Sequence, residues 1–202
     1  MIDAFLSQLA ATTPLEAVSV VLGLVYLLLA VRRNRLCWIA GGLASAIVVY
    51  LSARALLPMH AALNVYYVGM SVYGFVRWKK DSESSTPIVT RLPLQAHLAA
   101  VAAIAAVSAL SAHWLARETQ AAWPFLDSFT TWGSLFTTWL VARSKLENWL
   151  YWLVIDTIQA FLFIAQGLVF LALLFVVYLV IAVAGFFSWL KIYRMRVSAS
   201  PI

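Results

Sequence analysis

Charge and cysteine are both scarce in this sequence. Charged residues make up 11% of its 202 residues against 64% hydrophobic, which excludes an ordinary soluble domain, whose composition is about a quarter charged. One cysteine, Cys37, excludes an internal disulfide. No Gly-x-x-x-x-Gly-Lys-Ser/Thr phosphate loop occurs, and no loop is long enough to fold into a nucleotide domain, which disfavours a primary pump. No His or Cys cluster has metal-ligand spacing, so no metal and no other cofactor is expected. The first apolar stretch has no basic residue before it, which argues against a cleaved signal peptide.

Long apolar runs are what the sequence has instead. A helix needs about 20 apolar residues to cross a hydrocarbon layer. Seven runs meet that need and predict an all-α membrane protein with seven transmembrane helices: Leu15 to Val31, Leu36 to Leu57, Ala61 to Trp78, Leu94 to Leu115, Phe125 to Ala142, Trp149 to Ala165, and Leu168 to Leu190. All six prolines, Pro14, Pro58, Pro87, Pro93, Pro124 and Pro201, fall outside these runs, where a missing amide donor does least damage. Twelve of the fourteen Lys and Arg follow the first, third, fifth and seventh runs; Arg54 and Arg117 fall on the other side. By the positive-inside rule the N-terminus is outside and the C-terminus inside. The net charge of +6 therefore reports insertion and contact with membrane lipid. Without a basic groove interleaved with aromatics, no nucleic-acid partner is expected.

The chain also repeats itself. A shift of 111 positions, with no gap, superimposes Arg32 on Arg143, Trp38 on Trp149, Tyr67 on Tyr178, and Gly74-Phe75-x-x-Trp78-x-Lys80 on Gly185-Phe186-x-x-Trp189-x-Lys191. This pairs spans one to three with five to seven. One extra crossing between them returns the chain to its starting side, so the two triplets are parallel and related by an axis along the membrane normal. The predicted units are a first bundle over 15–80, an inversion linker over 93–116 and a second bundle over 123–191, a 3+1+3 plan. The linker is rich in small residues, Ala99, Ala100, Ala102, Ala103, Ala105 and Ala106, suited to close helix packing. Paired triplets about an axis suit a transporter whose solute sits near the midplane.

The chemistry concentrates in the sixth span. Trp149, Trp152, Asp156 and Gln159 fall at i, i+3, i+7 and i+10 and so share one helical face. Asp156 lies about 12 Å along the helix from Asn148, near the bilayer midplane. A carboxylate there costs at least about 2.5 kcal/mol unless a partner, a cavity or a bound cation meets it. Indole faces attract cationic rings, and a carboxylate with an amide binds sugar hydroxyls; together they suit a cationic heteroaromatic glycoside. An aromatic interface belt and an Asp156 bonded to a neighbouring helix is the competing structural reading. In the first half the equivalents of Trp152, Asp156 and Gln159 are Gly41, Ser45 and Val48, so half two supplies the grip and half one the space. Asn64, Tyr67, Ser71 and Tyr73 in the third span and Tyr178 in the seventh are further candidates for the lining, and Asn148 serves either the site or the helix start. His60 is expected in an outer loop far from Asp156. An intramembrane enzyme has no better support than these two titratable groups, and proton coupling would rest on Asp156 alone.

The segment Glu147-Asn148-Trp149-Leu150-Tyr151-Trp152-x-x-x-Asp156, with Tyr73-Gly74-x-x-x-x-Trp78, resembles the hallmark of the PnuC-type nicotinamide riboside transporters. The resemblance runs over nearly the whole chain. It implies the 3+1+3 fold shared with SWEET proteins, and facilitated diffusion of nicotinamide riboside, a pyridinium joined to ribose, trapped afterwards by a cytoplasmic kinase. It also implies an inner-membrane location and a homo-oligomer, with a trimer as the expected size. The Pro-Gln dipeptide of PQ-loop relatives is absent, so no hinge position carries over.

Overall fold

In a computed structural model, described here over residues 2–83, 89–118 and 122–199, the chain is all α-helical: α1 (Ile2–Ala11), α2 (Pro14–Val31), α3 (Cys37–Arg54), α4 (Pro58–Glu83), α5 (Leu94–Glu118), α6 (Pro124–Ala142), α7 (Asn148–Ala165) and α8 (Val169–Ala199). Pro87 and Pro201 lie outside the described residues. Pro14 and Pro124 each occupy the first turn of a helix, where the missing amide is not needed. Before Pro14 stands Thr13, whose side chain accepts from the Glu16 amide while the Glu16 carboxylate accepts from the Thr13 amide at 2.7 Å. That reciprocal pair fixes where α2 begins.

The 111-residue register extends to the backbone. Helices α3 and α7 start at Cys37 and Asn148 and end at Arg54 and Ala165; α4 and α8 start at Pro58 and Val169. Four turns follow the same rule. Arg33 and Ser144 both take left-handed backbone, φ 51° and 53°, as do Leu56 and Gly167, φ 56° and 73°. Each pair closes with matching bonds: Asn34 N to Leu29 O and Lys145 N to Leu140 O, both 2.9 Å, then Leu57 N to Ser52 O at 2.9 Å and Leu168 N to Phe163 O at 2.8 Å. This is the helix-ending motif that a left-handed residue makes possible, and three of the four such positions hold it without glycine.

Helix α3 packs against α2 and α4, and α7 against α6 and α8; across the seam α2 meets α8 and α4 meets α6, while α5 packs on α6. Helix α5 turns Ile104, Ser108 and Ala112, one turn apart, into the protein.

The structure departs from the expected seven spans in two ways. Helix α1 precedes them; its Gln8 donates to Gly167 O at 2.9 Å and accepts from Phe170 N at 3.0 Å, tying it to the α7–α8 turn. Among the described residues five helices are long and apolar enough to cross a membrane, α2, α3, α5, α7 and α8. Helices α4 and α6 fall short in apolarity, because they carry polar residues on inward faces: Asn64 and Ser71 in α4, and Ser128, Thr130, Ser134, Thr137 and Thr138 in α6 are all buried. Each packs against an apolar helix, α4 on α3 and α6 on α5 and α7. The whole is a multi-helix membrane protein.

Candidate substrate cavity and its tryptophan floor

The helical stripe read from α7 faces inward. Trp149, Trp152, Asp156 and Gln159 all line one cavity of about 500 Å³ between the two sets of three helices, within the roughly 300 to 1,000 Å³ of small-molecule sites. Asn64 and Tyr67 reach it from α4 and Tyr178 from α8. Seven of the ten residues singled out in the sequence thus meet in one place.

The other three lie elsewhere. Asn148, fully buried, donates to Lys145 O at 2.6 Å and so braces the first turn of α7. Ser71 donates to Tyr67 O at 2.8 Å and sits in the α3–α4 contact, where a Cβ on Gly42 would come within 3.1 Å of its own. Tyr73 is on the outer surface, 38% exposed. It lies six residues after Tyr67, more than one and a half helical turns, and so points away from Tyr67's face.

Asp156 is 4% exposed, yet among the described residues neither carboxylate oxygen has a hydrogen-bond or ion-pair partner. No Lys or Arg lines the cavity among the described residues. Gln159 is better tethered, donating to Thr130 Oγ1 at 3.2 Å, and Thr130 in turn donates to Asp127 O.

Several lining groups were not foreseen. Tyr26 of α2 packs edge-on to Trp38, ring centres 5.8 Å apart, in the room left by Gly41, where a Cβ would come within 2.8 Å of its ring. The space expected opposite Trp152 is therefore filled by a tyrosine of the same half. Thr130 and Ser134 of α6 add hydroxyls. His60 corrects the expectation of an outer loop: α4 begins at Pro58, so His60 is in its first turn, lines the same cavity as Asp156, and pairs through Nδ1 with Ser52 Oγ at 2.8 Å. Many lining residues come in pairs 111 apart, among them Ser19 and Thr130, Val48 and Gln159, and Asn64 and Phe175. The cavity thus lies along the seam that relates the two halves.

Beneath Trp149 the cavity ends on a chain of four indoles. Trp38 meets Trp78 at 5.4 Å, Trp78 meets Trp189 at 5.9 Å, and Trp189 meets Trp149 at 5.6 Å between ring centres. Trp78 Nε1 donates across the seam to Ala142 O at 3.1 Å, and Trp189 Nε1 donates back to Ala30 O at 3.0 Å. This gives the repeated Gly-Phe-x-x-Trp motif its physical sense. The tryptophan ties the opposite half, and the glycine four residues earlier lets an indole approach: a Cβ on Gly74 would lie 2.2 Å from Trp38, and on Gly185 2.6 Å from Trp149.

Below this floor Arg33, with its side chain 3% exposed, is paired to Asp81 at 2.6 Å, bonded to Ser144 Oγ of the other half, and stacked 4.9 Å from the Trp78 ring centre. Burial lowers its pKa from the ordinary guanidinium value, against the upward pull of Asp81. The loop before α5 is fastened to the same end: Thr90 N donates to Ser144 O, Leu146 N donates to Thr90 O, and Arg91 pairs with Glu147 at 2.9 Å.

Against known proteins, the chain is 25% identical to the riboflavin/roseoflavin transporter RibM of Streptomyces davaonensis over 93% of its own length and 88% of that protein. It is 33% identical to the nicotinamide riboside transporter PnuC of Escherichia coli over 75 residues, 37% of this chain and 31% of that one. The crystal structure of the vitamin B3 transporter PnuC shares its fold, with a TM-score of 0.70 at 21% identity, covering 90% of this chain and 82% of that one. The family model described as nicotinamide mononucleotide transporter matches residues 13–191. With that match over nearly its full length and a cavity enclosed by membrane helices, the chain belongs to the nicotinamide mononucleotide transporter family and is a multi-pass membrane transporter, not an enzyme.

Proposed function

We propose that this transporter carries nicotinamide riboside by facilitated diffusion across the inner membrane, with its N-terminus outside. The observation that carries this reading is Asp156: a buried carboxyl that opens on a cavity and lacks a partner among the described residues. An unpaired carboxylate away from water is costly, and a pyridinium ring is the countercharge it lacks. The rings of Trp149, Trp152, Tyr26 and Phe175 along the same walls suit a flat cation by quadrupole attraction, about 0.5 to 2 kcal/mol for each good face. Gln159 and Thr130 supply an amide and a hydroxyl for the ribose.

The phosphorylated form, nicotinamide mononucleotide, is a poorer cargo. Its phosphate would meet Asp156 with no lining Lys or Arg to receive it. Trapping by a cytoplasmic kinase follows from that preference, since the product no longer fits. Alternating access would move the bundles 15–80 and 123–191 against each other, with 93–116 as the linker and homo-oligomers as the assembly. The indole floor closes the end where the basic loops gather, so the state described is shut toward the cytoplasm.

Riboflavin is the second reading, favoured by the likeness to RibM over most of the chain. It is a neutral flat ring on a polyol, so it would use the aromatic walls and leave Asp156 without a countercharge. Calorimetric titration of the purified protein separates these. Nicotinamide riboside is expected to bind more tightly than its 5′-phosphate, nicotinamide or riboflavin; equal binding of the four, or binding of riboflavin alone, overturns the reading. Uptake into liposomes is expected without a pH or sodium gradient.

A further inference from the structure

Tyr67 and Tyr178 hold equivalent positions in α4 and α8, and both line the cavity. Each reaches across the seam toward the first helix of the other half. Tyr67 lies beside Ser134 of α6, which lines the same cavity. The equivalent of Ser134 in α2 is Gly23, and a Cβ built there would lie 3.5 Å from the Tyr178 hydroxyl. At equivalent places one tyrosine thus has a serine beside it and the other a glycine. Among the described residues the Tyr178 hydroxyl has no hydrogen-bond partner, and it opens on the cavity that Asp156 also lines.

We infer that the Tyr178 hydroxyl contacts the substrate, donating to a hydroxyl oxygen of the bound sugar, and that Gly23 determines this by withholding the serine that occupies the equivalent site. A hydroxyl that opens on a cavity, with no protein partner among the described residues, is completed by a polar ligand. Tyr67, with Ser134 beside it, is a wall instead. The identity of the ligand rests on the nicotinamide riboside reading; the difference between the two tyrosines does not.

The test is a set of three single variants and a double variant of the full chain, titrated in detergent with nicotinamide riboside. Tyr178→Phe removes the oxygen alone and is expected to weaken binding about 3- to 10-fold, the range of one lost hydrogen bond. Gly23→Ser is expected to capture the hydroxyl and weaken binding to a similar degree, since a Cβ at 3.5 Å is ordinary contact and leaves the new oxygen within reach. The Gly23→Ser, Tyr178→Phe double variant should bind no worse than either single one. Gly23→Ala adds the methyl without the oxygen and should cost clearly less than Gly23→Ser. Wild-type affinity in Tyr178→Phe, equal losses in Gly23→Ala and Gly23→Ser, or additive losses in the double variant would each overturn the inference. Wild-type protein that binds riboflavin and not nicotinamide riboside overturns the substrate reading, and the same series titrated with riboflavin then decides Tyr178. Protein that binds neither overturns both.

Discussion

Helices α2 to α4 and α6 to α8 share the register of their turns, and α3 and α7 that of both ends, but several equivalent positions on the cavity differ in chemistry. At equivalent positions the first half has Gly41, Ser45 and Val48 and the second Trp152, Asp156 and Gln159. At the basic end the asymmetry reverses: the equivalents of Arg33 and Asp81 in the second half are Ser144 and Ile192. The backbone plan follows from turn and helix-end chemistry that both halves keep. Binding chemistry needs a site that fits an unsymmetrical solute, so only one half need carry the charge. Conversely, one buried cation on the seam pairs with a carboxylate of its own half and bonds a hydroxyl of the other.

Breaking that cation's pairing should have the largest effect. Asp81→Asn leaves Arg33 buried without its carboxylate and is expected to cost about 3 kcal/mol or more of stability, read as a fall in melting temperature in detergent. Asp156→Asn sharpens the other side of the comparison. It is expected to weaken nicotinamide riboside binding by about 30-fold, in the range of a lost charged contact, while the melting temperature holds, because Asp156 braces nothing; a protein that melts early would make it structural. Trp152→Ala should cost about tenfold in affinity by the same titration. The smallest effect is expected from Ser144→Ala, about 1 kcal/mol by melting, because Arg33 keeps Asp81 when the cross-seam hydroxyl is lost. If Ser144→Ala matched Asp81→Asn, the ion pair would not be what chiefly holds Arg33 in place.

Much of this was legible in the sequence because helical period and hydropathy are local signals. Trp149, Trp152, Asp156 and Gln159 needed nothing beyond their spacing to be placed on one face. The groups that escaped depend on which helix lies opposite. Tyr26 sits alone in an apolar run, and only the approach of Gly41 shows where it goes. Thr130 and Ser134 were overlooked because hydroxyls in apolar helices commonly bond their own backbone one turn back, as Thr137 does to Gly133 O and Thr138 to Ser134 O. Extending the 111-residue comparison to α2 and α6 would have exposed the Gly23 and Ser134 mismatch. His60 was misplaced through a helix start set three residues late, which put it in a loop when it belongs to the first turn of α4. Helices α4 and α6 read as less apolar than the other five because inward polar faces dilute their hydropathy.

The reciprocal indole bonds impose a condition on any opening of the tryptophan floor. Trp38 and Trp78 travel with one half, Trp149 and Trp189 with the other, and each of Trp78 and Trp189 grips a helix-end carbonyl of the opposite side. Parting the halves at this crack would break both bonds and split the row of rings at its centre, between Trp78 and Trp189, so this end resists opening with two cross-bonds and one ring contact.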